Sequence, residues 1–285
     1  MEFECKVSVL VTFYNQEKYV DRALQSILAQ KVNFEYKIFI GDDGSCDGTL
    51  DRVKVWQKQY PNKIIVSVMS RKKGVKYIGG FRASQNRLSL LKYVNSEYFI
   101  FLDGDDFFTD NNKLQKQVDV LDLEDNSDCV ACGHHVSMLY LNGDKKHITD
   151  DNIKTGKYAP KEYWGRPMYF HPDSMLTRSF VISSFPFDLV ENSFNDNLIT
   201  FLTIQKGKLY FLEDDMAVYS ITEDGIWTSN NIIVNLIRSI IGYDLCNLIN
   251  LKMKKETDKR NRGVWFDLIE CREKINKGEL FLLEE

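Results

Sequence analysis

The chain has 285 residues, 44% hydrophobic and 27% charged, enough for one large domain or a domain with an elaborated C-terminal part. A formal net charge of −4 offers no basic field for nucleic acid. The six cysteines (Cys5, Cys46, Cys129, Cys132, Cys246 and Cys271) are scattered, and Glu2, Glu4 and Lys6 break the first apolar run, so the expectation is a cytoplasmic protein with reduced thiols and no signal peptide.

To about residue 125 the sequence alternates short β-rich runs with helical patterns, which predicts a parallel sheet built from βαβ units. Val7 to Val11 is the first strand, and a helix follows with Tyr19, Val20, Ala23, Leu24, Ile27 and Leu28 at three-to-four spacing. Tyr36 to Ile40 is the second strand, and Asp47 is the expected N-cap of the helix opened by Gly48-Thr49-Leu50. Ile64 to Val68 is the third strand. Phe81 to Val94 is the third helix, with Phe81, Leu88 and Leu91 on one side. Tyr98 to Leu102 reads as a buried strand, and Thr109 to Asn112 supply caps for a helix carrying Leu114, Val118 and Leu121. Beyond it Val130 to Leu141 is a strand, 142–175 is loop-rich, Asn195 to Gln205 is a helix and Lys208 to Leu212 a strand. Helices follow from Ile232. The apolar stretch to Leu251 carries Asn235, Arg238, Asp244, Asn247 and Asn250, so no membrane span is expected.

Ligands of an open parallel sheet bind outside the carboxyl ends of its strands. Three such ends are distinctive: Thr12-Phe13-Tyr14-Asn15, Asp42-Asp43-Gly44-Ser45 and Asp103-Gly104-Asp105-Asp106. Clustered carboxylates cost free energy unless a cation binds, and hard oxygens around the small Gly104 suit Mg²⁺ or Mn²⁺. Phe13 or Tyr14 can lie against a base, and Asp42 can accept from a base N–H or a ribose hydroxyl. Neither a G-x-G-x-x-G nor a P-loop pattern follows the first strand, so a metal must neutralise the phosphates of the implied nucleoside diphosphate. An EF-hand fails because Phe107 stands where that loop needs its third oxygen ligand.

These residues resemble the family 2 glycosyltransferases of the GT-A fold, especially bacterial enzymes that build capsule, O-antigen and related surface polysaccharides. The resemblance rests on VSVLVTFYNQEKYVDRALQSILAQ at 7–30, IFIGDDGSCDGT at 38–49 and YFIFLDGDDFFTDNNKLQKQVDVL at 98–121. FNDNLITFLTIQKGKLYFLEDDMAVYSITEDGIWT extends it to about residue 228. It implies a Rossmann-like α/β fold with a mostly parallel central sheet. Residues 1–228 would form the GT-A domain, with a nucleotide-binding half (1–125) and an acceptor-binding half (126–228), and 229–285 a helical extension. The implied activity is inverting transfer of a hexosyl or N-acetylhexosaminyl group from a nucleotide sugar, most often UDP-linked, to a glycan or lipid-linked hydroxyl. Thr12, Phe13, Tyr14 and Glu17 match donor-base and ribose positions, Asp42 the base-reading acid, and Asp103 and Asp105, either side of Gly104, the D-x-D pair that holds Mn²⁺ or Mg²⁺. Asp105 would be the direct metal ligand, with Asp103 nearer the ribose and the metal's water shell.

Inversion in one displacement needs a base for the acceptor hydroxyl. The family places that acid just before a helix in the second half, where Asn195-Asp196 stands, so Asp196 is the expected base, with Glu191, Glu213, Asp214 and Asp215 as rivals. Many relatives carry Arg and His at the positions of Ser220 and Thr222, where they help hold the diphosphate or metal. Their replacement motivates a second reading, a non-catalytic nucleotide-sugar binder in a glycan-assembly complex. A nucleotidyltransferase is a third, opposed by the missing glycine- and arginine-rich first loop. His171 and Trp227 are candidates for the acceptor pocket. Cys129-Val-Ala-Cys132-Gly-His134-His135 reads as a packed strand rather than a zinc site, because strand residues three apart point to opposite faces. The basic run Lys252 to Arg262 would suit peripheral contact with an anionic inner-membrane surface, but Glu256 and Asp258 interrupt it and favour a solvated helix face.

Overall fold

The computed structural model describes residues 3–165, 170–223, 225 and 232–276. The first half forms β1 (Cys5–Phe13), α1 (Glu17–Leu28), β2 (Tyr36–Asp42), α2 (Thr49–Gln59), β3 (Ile64–Val68), α3 (Gly79–Leu91), β4 (Ser96–Asp103), β5 (Phe107–Phe108) and α4 (Lys113–Asp122). β1 lies between β2 and β4, parallel to both, and β3 adds in parallel to β2. Covered on both faces, β1 is apolar almost throughout. Val7, Val9 and Val11 enter one core layer with α1, α2 and α4, while Leu10 enters the opposite layer with α3. On α1 the three-to-four spacing places Val20, Ala23, Leu24 and Ile27 in a fully buried stripe. Each such Val, Leu or Ile contributes ~1.5–3 kcal/mol of burial.

The second half joins the same sheet. It comprises β6 (Cys129–Leu139), β7 (Lys145–His147), β8 (Gly156–Tyr158), α5 (Pro160–Trp164), β9 (Leu176–Arg178), α6 (Phe187–Val190), α7 (Asp196–Ile204), β10 (Lys208–Ser220), α8 (Ile232–Ile249) and α9 (Lys254–Asn276). Among the described residues the strand order is β3-β2-β1-β4-β9-β6-β10-β5, with β7 on β6 and β8 on β10. β9 is antiparallel to both β4 and β6, and β10 is parallel to β6, so all the long strands point one way and end at one edge.

Some elements depart from the sequence pattern. β10 does not stop at Leu212 but continues through Glu213, Asp214 and Asp215, with register shifts on either side of Asp215. Each acid has a partner: Glu213 with Lys154, Asp214 with Lys116 and Asp215 with the Ser137 hydroxyl. α3 starts at Gly79 and ends at Leu91, and Phe81 is exposed. Gly48, not Asp47, occupies the N-cap position of α2; Asp47 accepts from the Thr49 N–H at 3.0 Å. The stretch 142–175 contains β7, β8 and α5. Cys129 and Cys132 are packed strand residues, as expected.

By length and composition alone α8 is apolar enough to cross a membrane; its Asn235, Leu236, Ile240, Tyr243 and Cys246 are buried in the fold. Two more of its polar residues meet α9, Asn247 donating to Asp258 (2.9 Å) and Asp244 accepting from Asn261 (3.3 Å). Arg260 from the basic run of α9 donates to the Trp164 carbonyl at 2.7 Å and stacks over that indole.

Candidate active site

The ends of β1, β2 and β4 are tied together by backbone and side chain. Thr12 and Asp103 are register neighbours, and the Thr12 hydroxyl donates to Asp103 Oδ1 at 3.1 Å. The Gly104 N–H donates to the Thr12 carbonyl at 2.9 Å, and a Cβ on Gly104 would lie 2.2 Å from the Phe13 ring, so only glycine fits there. Phe13 is itself 1% exposed and belongs to the core, which removes it as a surface for a base, because β1 delivers its side chain inward. Tyr14, 42% exposed, is the aromatic that a ligand can reach, and the Arg71 guanidinium lies 3.8 Å over its ring. Arg71 and Arg82 both pair with the buried Asp43. Asp42 is fully buried, and both its oxygens accept from Ser45, at 2.9 Å from the N–H and 2.6 Å from the hydroxyl. Glu17 accepts from the Gly48 N–H at 3.2 Å, so its carboxylate lies at the start of α2.

α3 brings in residues that periodicity did not single out. Arg82 and Asn86, four apart, face the strand ends, where Asn86 donates to the Gly41 carbonyl at 2.9 Å. Arg87 carries the central contact: its guanidinium reaches Asp103 Oδ2 at 2.6 Å and Asp196 Oδ1 at 2.8 Å. Burial alone would lower the Arg87 pKa, but the two carboxylates more than offset it and hold the group well above its ordinary value. Asp196 is the first residue of α7, whose N-cap Asn195 accepts from the Leu198 N–H at 3.1 Å. The expected base and the first acid of the D-x-D thus share one arginine.

A second group of carboxylates lies beneath Asp103. Asp106 and Asp173 are fully buried. Asp106 Oδ1 accepts from the Ser220 N–H at 2.7 Å, and its other oxygen has no donor among the described residues. Burial, then the Asp173 and Asp105 charges, push the Asp106 carboxyl well above the usual range, and burial with Asp103 pushes Asp105 up to about 6. His171 Nδ1 lies 2.9 Å from Asp173 Oδ2. Burial alone would lower the imidazole, but Asp173 in particular offsets this and raises it to about 9. His171 is therefore a buried member of this cluster and does not face open solvent. Trp227 lies outside the described residues.

Ser220 and Thr222 have found other partners. Arg22 of α1 donates to the Ser220 hydroxyl at 3.0 Å and to the Asp105 carbonyl at 2.6 Å, so a guanidinium does reach this place, from the opposite end of the sequence. Thr222 donates to Asp105 Oδ2 at 3.3 Å. Sequence reasoning missed Arg22, Arg87 and Asp173 as well as the burial of Asp106. The available signals were the polar face of α3 and an acid two residues from His171.

The residues fit a divalent cation. Ligand atoms of Asp103, Asp106 and His171 lie within 4.8 Å of one another, with Asp105 close enough to feel the Asp103 charge. A buried carboxylate oxygen without a donor among the described residues and two carboxyls pushed upward by burial and then by neighbouring charges are what a positive ion would relieve. His171 becomes a ligand only as the neutral imidazole, with Nδ1 left to Asp173 and Nε2 freed of its proton.

The model of the family described as "Glycosyl transferase family 2" matches residues 8–185. An uncharacterized glycosyltransferase of Nostoc sp. is 30% identical over 225 residues, covering 76% of this chain and 65% of its own. Among solved structures, Staphylococcus aureus TarS (residues 1–349) in complex with UDP-GlcNAc superposes with a TM-score of 0.61 at 19% identity over 84% of this chain and 66% of that one. The mannosyltransferase PcManGT of Pyrobaculum calidifontis, in complex with GDP-Man and Mn²⁺, gives 0.62 at 15% identity over 91% and 70%. At these identities the structural likeness speaks to the fold, which is of the GT-A type. The chain spans less than two thirds, 61–65%, of the length of several curated relatives that it matches. The motifs at the strand ends, the sheet that carries them and the family match over more than half the sequence agree, and the chain belongs to glycosyl transferase family 2.

Proposed function

We propose that this chain transfers a hexosyl or N-acetylhexosaminyl group, with inversion, from a UDP-sugar to a hydroxyl of a glycan or lipid-linked saccharide in bacterial surface-polysaccharide synthesis. The observation that carries the reading is the Arg87 bridge, which fixes Asp196 and Asp103 on the two arms of one guanidinium. In this reading Asp196 accepts the proton of the acceptor hydroxyl as its oxygen attacks the anomeric carbon. The bond from that carbon to the β-phosphate oxygen breaks, and the diphosphate leaves with the bonding pair. Thr12, Asp103 and Gly104 border the ribose and phosphates, and Tyr14 offers its exposed face to the uracil. Asp103 and Asp105, backed by Asp106 and His171, would hold Mn²⁺ or Mg²⁺, which when bound neutralises charge on the leaving diphosphate. Arg22 adds a fixed positive charge beside Asp105. Residues 1–125 serve the donor, 126–228 the acceptor, and the helical remainder braces the acceptor half. A cytoplasmic location supplies the nucleotide donor, and peripheral contact with the inner membrane would bring a lipid-linked acceptor within reach.

A panel of UDP-sugars with Mn²⁺ or Mg²⁺ and pooled lipid-linked and oligosaccharide acceptors tests the proposal by following UDP release. Selective turnover of one donor, abolished by chelation, supports it. Tight metal-dependent UDP binding with no turnover of any donor and acceptor pair would overturn it in favour of a nucleotide-sugar binder.

A further inference from the structure

A second cluster of ligand-type side chains forms well away from the strand-end carboxylates, and strand geometry explains it. His135 and Ser137 are two apart on β6 and share a face, and His147 of β7 stands directly opposite Ser137. Asp215 stands opposite His135 on β10, where the register shifts re-aim the strand. Asp151 completes the group from the turn after β7: His147 Nδ1 lies 2.5 Å from Asp151 Oδ1 and His147 Nε2 lies 3.4 Å from Asp215 Oδ2. The two imidazole rings stack with centroids 4.9 Å apart.

From this juxtaposition we propose that His135, His147, Asp151 and Asp215 form a structural site for a divalent transition ion of the Zn²⁺ class. Two imidazoles and two carboxylates are a donor set for Zn²⁺ and a poor one for Mg²⁺ or Ca²⁺, which take oxygen ligands. Ligand atoms of His135, His147 and Asp151 already lie within 4.8 Å of one another. A tetrahedral Zn²⁺ site with bonds of about 2.0–2.1 Å separates its ligands by about 3.3 Å. The His147 Nε2 to Asp215 distance is already there, and the remaining closure falls to Asp151, whose exposed carboxylate would exchange its contact with His147 Nδ1 for the ion. The outer contacts are built: the Ser137 hydroxyl donates to Asp215, and Thr149 meets His135 Nδ1. With four protein ligands such a site is closed, so its role is to clip the β6–β7 hairpin to β10. Asp215 is five residues, roughly 15 Å of strand, from Ser220 at the active-site edge.

The test uses the full chain, stripped with a chelator and titrated with Co²⁺ as a spectroscopic stand-in and then with Zn²⁺. The expected result is one equivalent with the intense visible absorption of four-coordinate Co²⁺, displaced by Zn²⁺, together with a Zn²⁺-dependent rise in melting temperature. Both signals should survive in Asp105→Asn. His147→Gln and Asp151→Asn alter solvent-facing side chains and leave the fold intact, and each should weaken binding by about tenfold or more. A Co²⁺ band that is absent, that is unchanged in His147→Gln and Asp151→Asn, or that disappears in Asp105→Asn overturns the proposal.

Discussion

Replacing Asp105 by Asn should make the metal-free protein more stable at neutral pH while removing the stabilisation that Mn²⁺ gives at the strand-end site. The Asp105 carboxyl is pushed from 3.8 up to about 6, by burial first and by the Asp103 charge second. A group whose pKa is higher in the folded than in the unfolded state binds more protons when folded, so its contribution to stability falls as pH rises from about 4 to about 6. The shift of about two units at ~1.4 kcal/mol each puts the cost of the ionised form above pH 6 at roughly 3 kcal/mol, an upper figure because removing one charge also relaxes Asp106. Asn keeps the shape and the Thr222 contact and carries no charge. Urea unfolding with chelator present, from pH 4 to 7.5, should therefore show the variant close to wild type at pH 4 and up to roughly 3 kcal/mol more stable at pH 7.5. Mn²⁺ at a hundred times its Kd should close most or all of that gap at pH 7.5, since it adds about 2.7 kcal/mol to a protein whose strand-end site binds it and nothing to one whose site does not. A wild-type minus variant difference that is flat with pH, or a variant less stable than wild type at pH 7.5, would refute the electrostatic account of the cluster.

Asp196→Asn should lower turnover by about 10²–10⁴-fold with UDP affinity unchanged, measured by UDP release and calorimetry; equal loss of binding would assign Asp196 to the donor site instead. Arg87→Leu leaves two carboxylates facing each other without their shared cation. It should cost about 3 kcal/mol in denaturant unfolding and abolish turnover, with Arg87→Lys recovering stability better than activity because an ammonium cannot span both partners in a fork. Phe13→Ala should cost about 3–5 kcal/mol as a core truncation. Tyr14→Ala should change stability by less than about 1 kcal/mol yet weaken UDP binding about tenfold, and the opposite ranking in either assay would return Phe13 to the ligand.

β1, β2 and β4 were legible to within two residues at each end because strands buried on both faces must be continuously apolar, and α1 and α4 because one stripe of each is; β3, partly exposed at the sheet edge, was legible from its β-branched run. The three polar strand ends were legible for the complementary reason: clustered carboxylates directly after a buried strand cost free energy unless something positive meets them. α3 was harder. The face it turns to the strand ends carries Arg82, Asn86 and Arg87, whose burial is made good by Asp43, the Gly41 carbonyl, Asp103 and Asp196, partners scattered over more than a hundred positions. The acidic middle of β10 was expected to lie beyond the strand for the same reason: Lys116, Ser137 and Lys154 neutralise or bond its acids, and periodicity does not report cross-strand partners. The Phe13 side chain lies in the core and not at the surface of the site because sequence shows residue type at a strand end but not which way the last side chain turns.

Arg22 and Ser220 are 198 positions apart, and Arg87 and Asp196 are 109 apart. A chain made from its N-terminus can assemble β1 to β4 while still short, but at that stage Arg87 has only Asp103, Asp106 lacks the Ser220 N–H, and Asp105 lacks Thr222. Maturation of the site therefore waits on β10: the donor-side half can be folded before it can function, and the arrival of that strand, with Ser220 at its end, is the event that arms it.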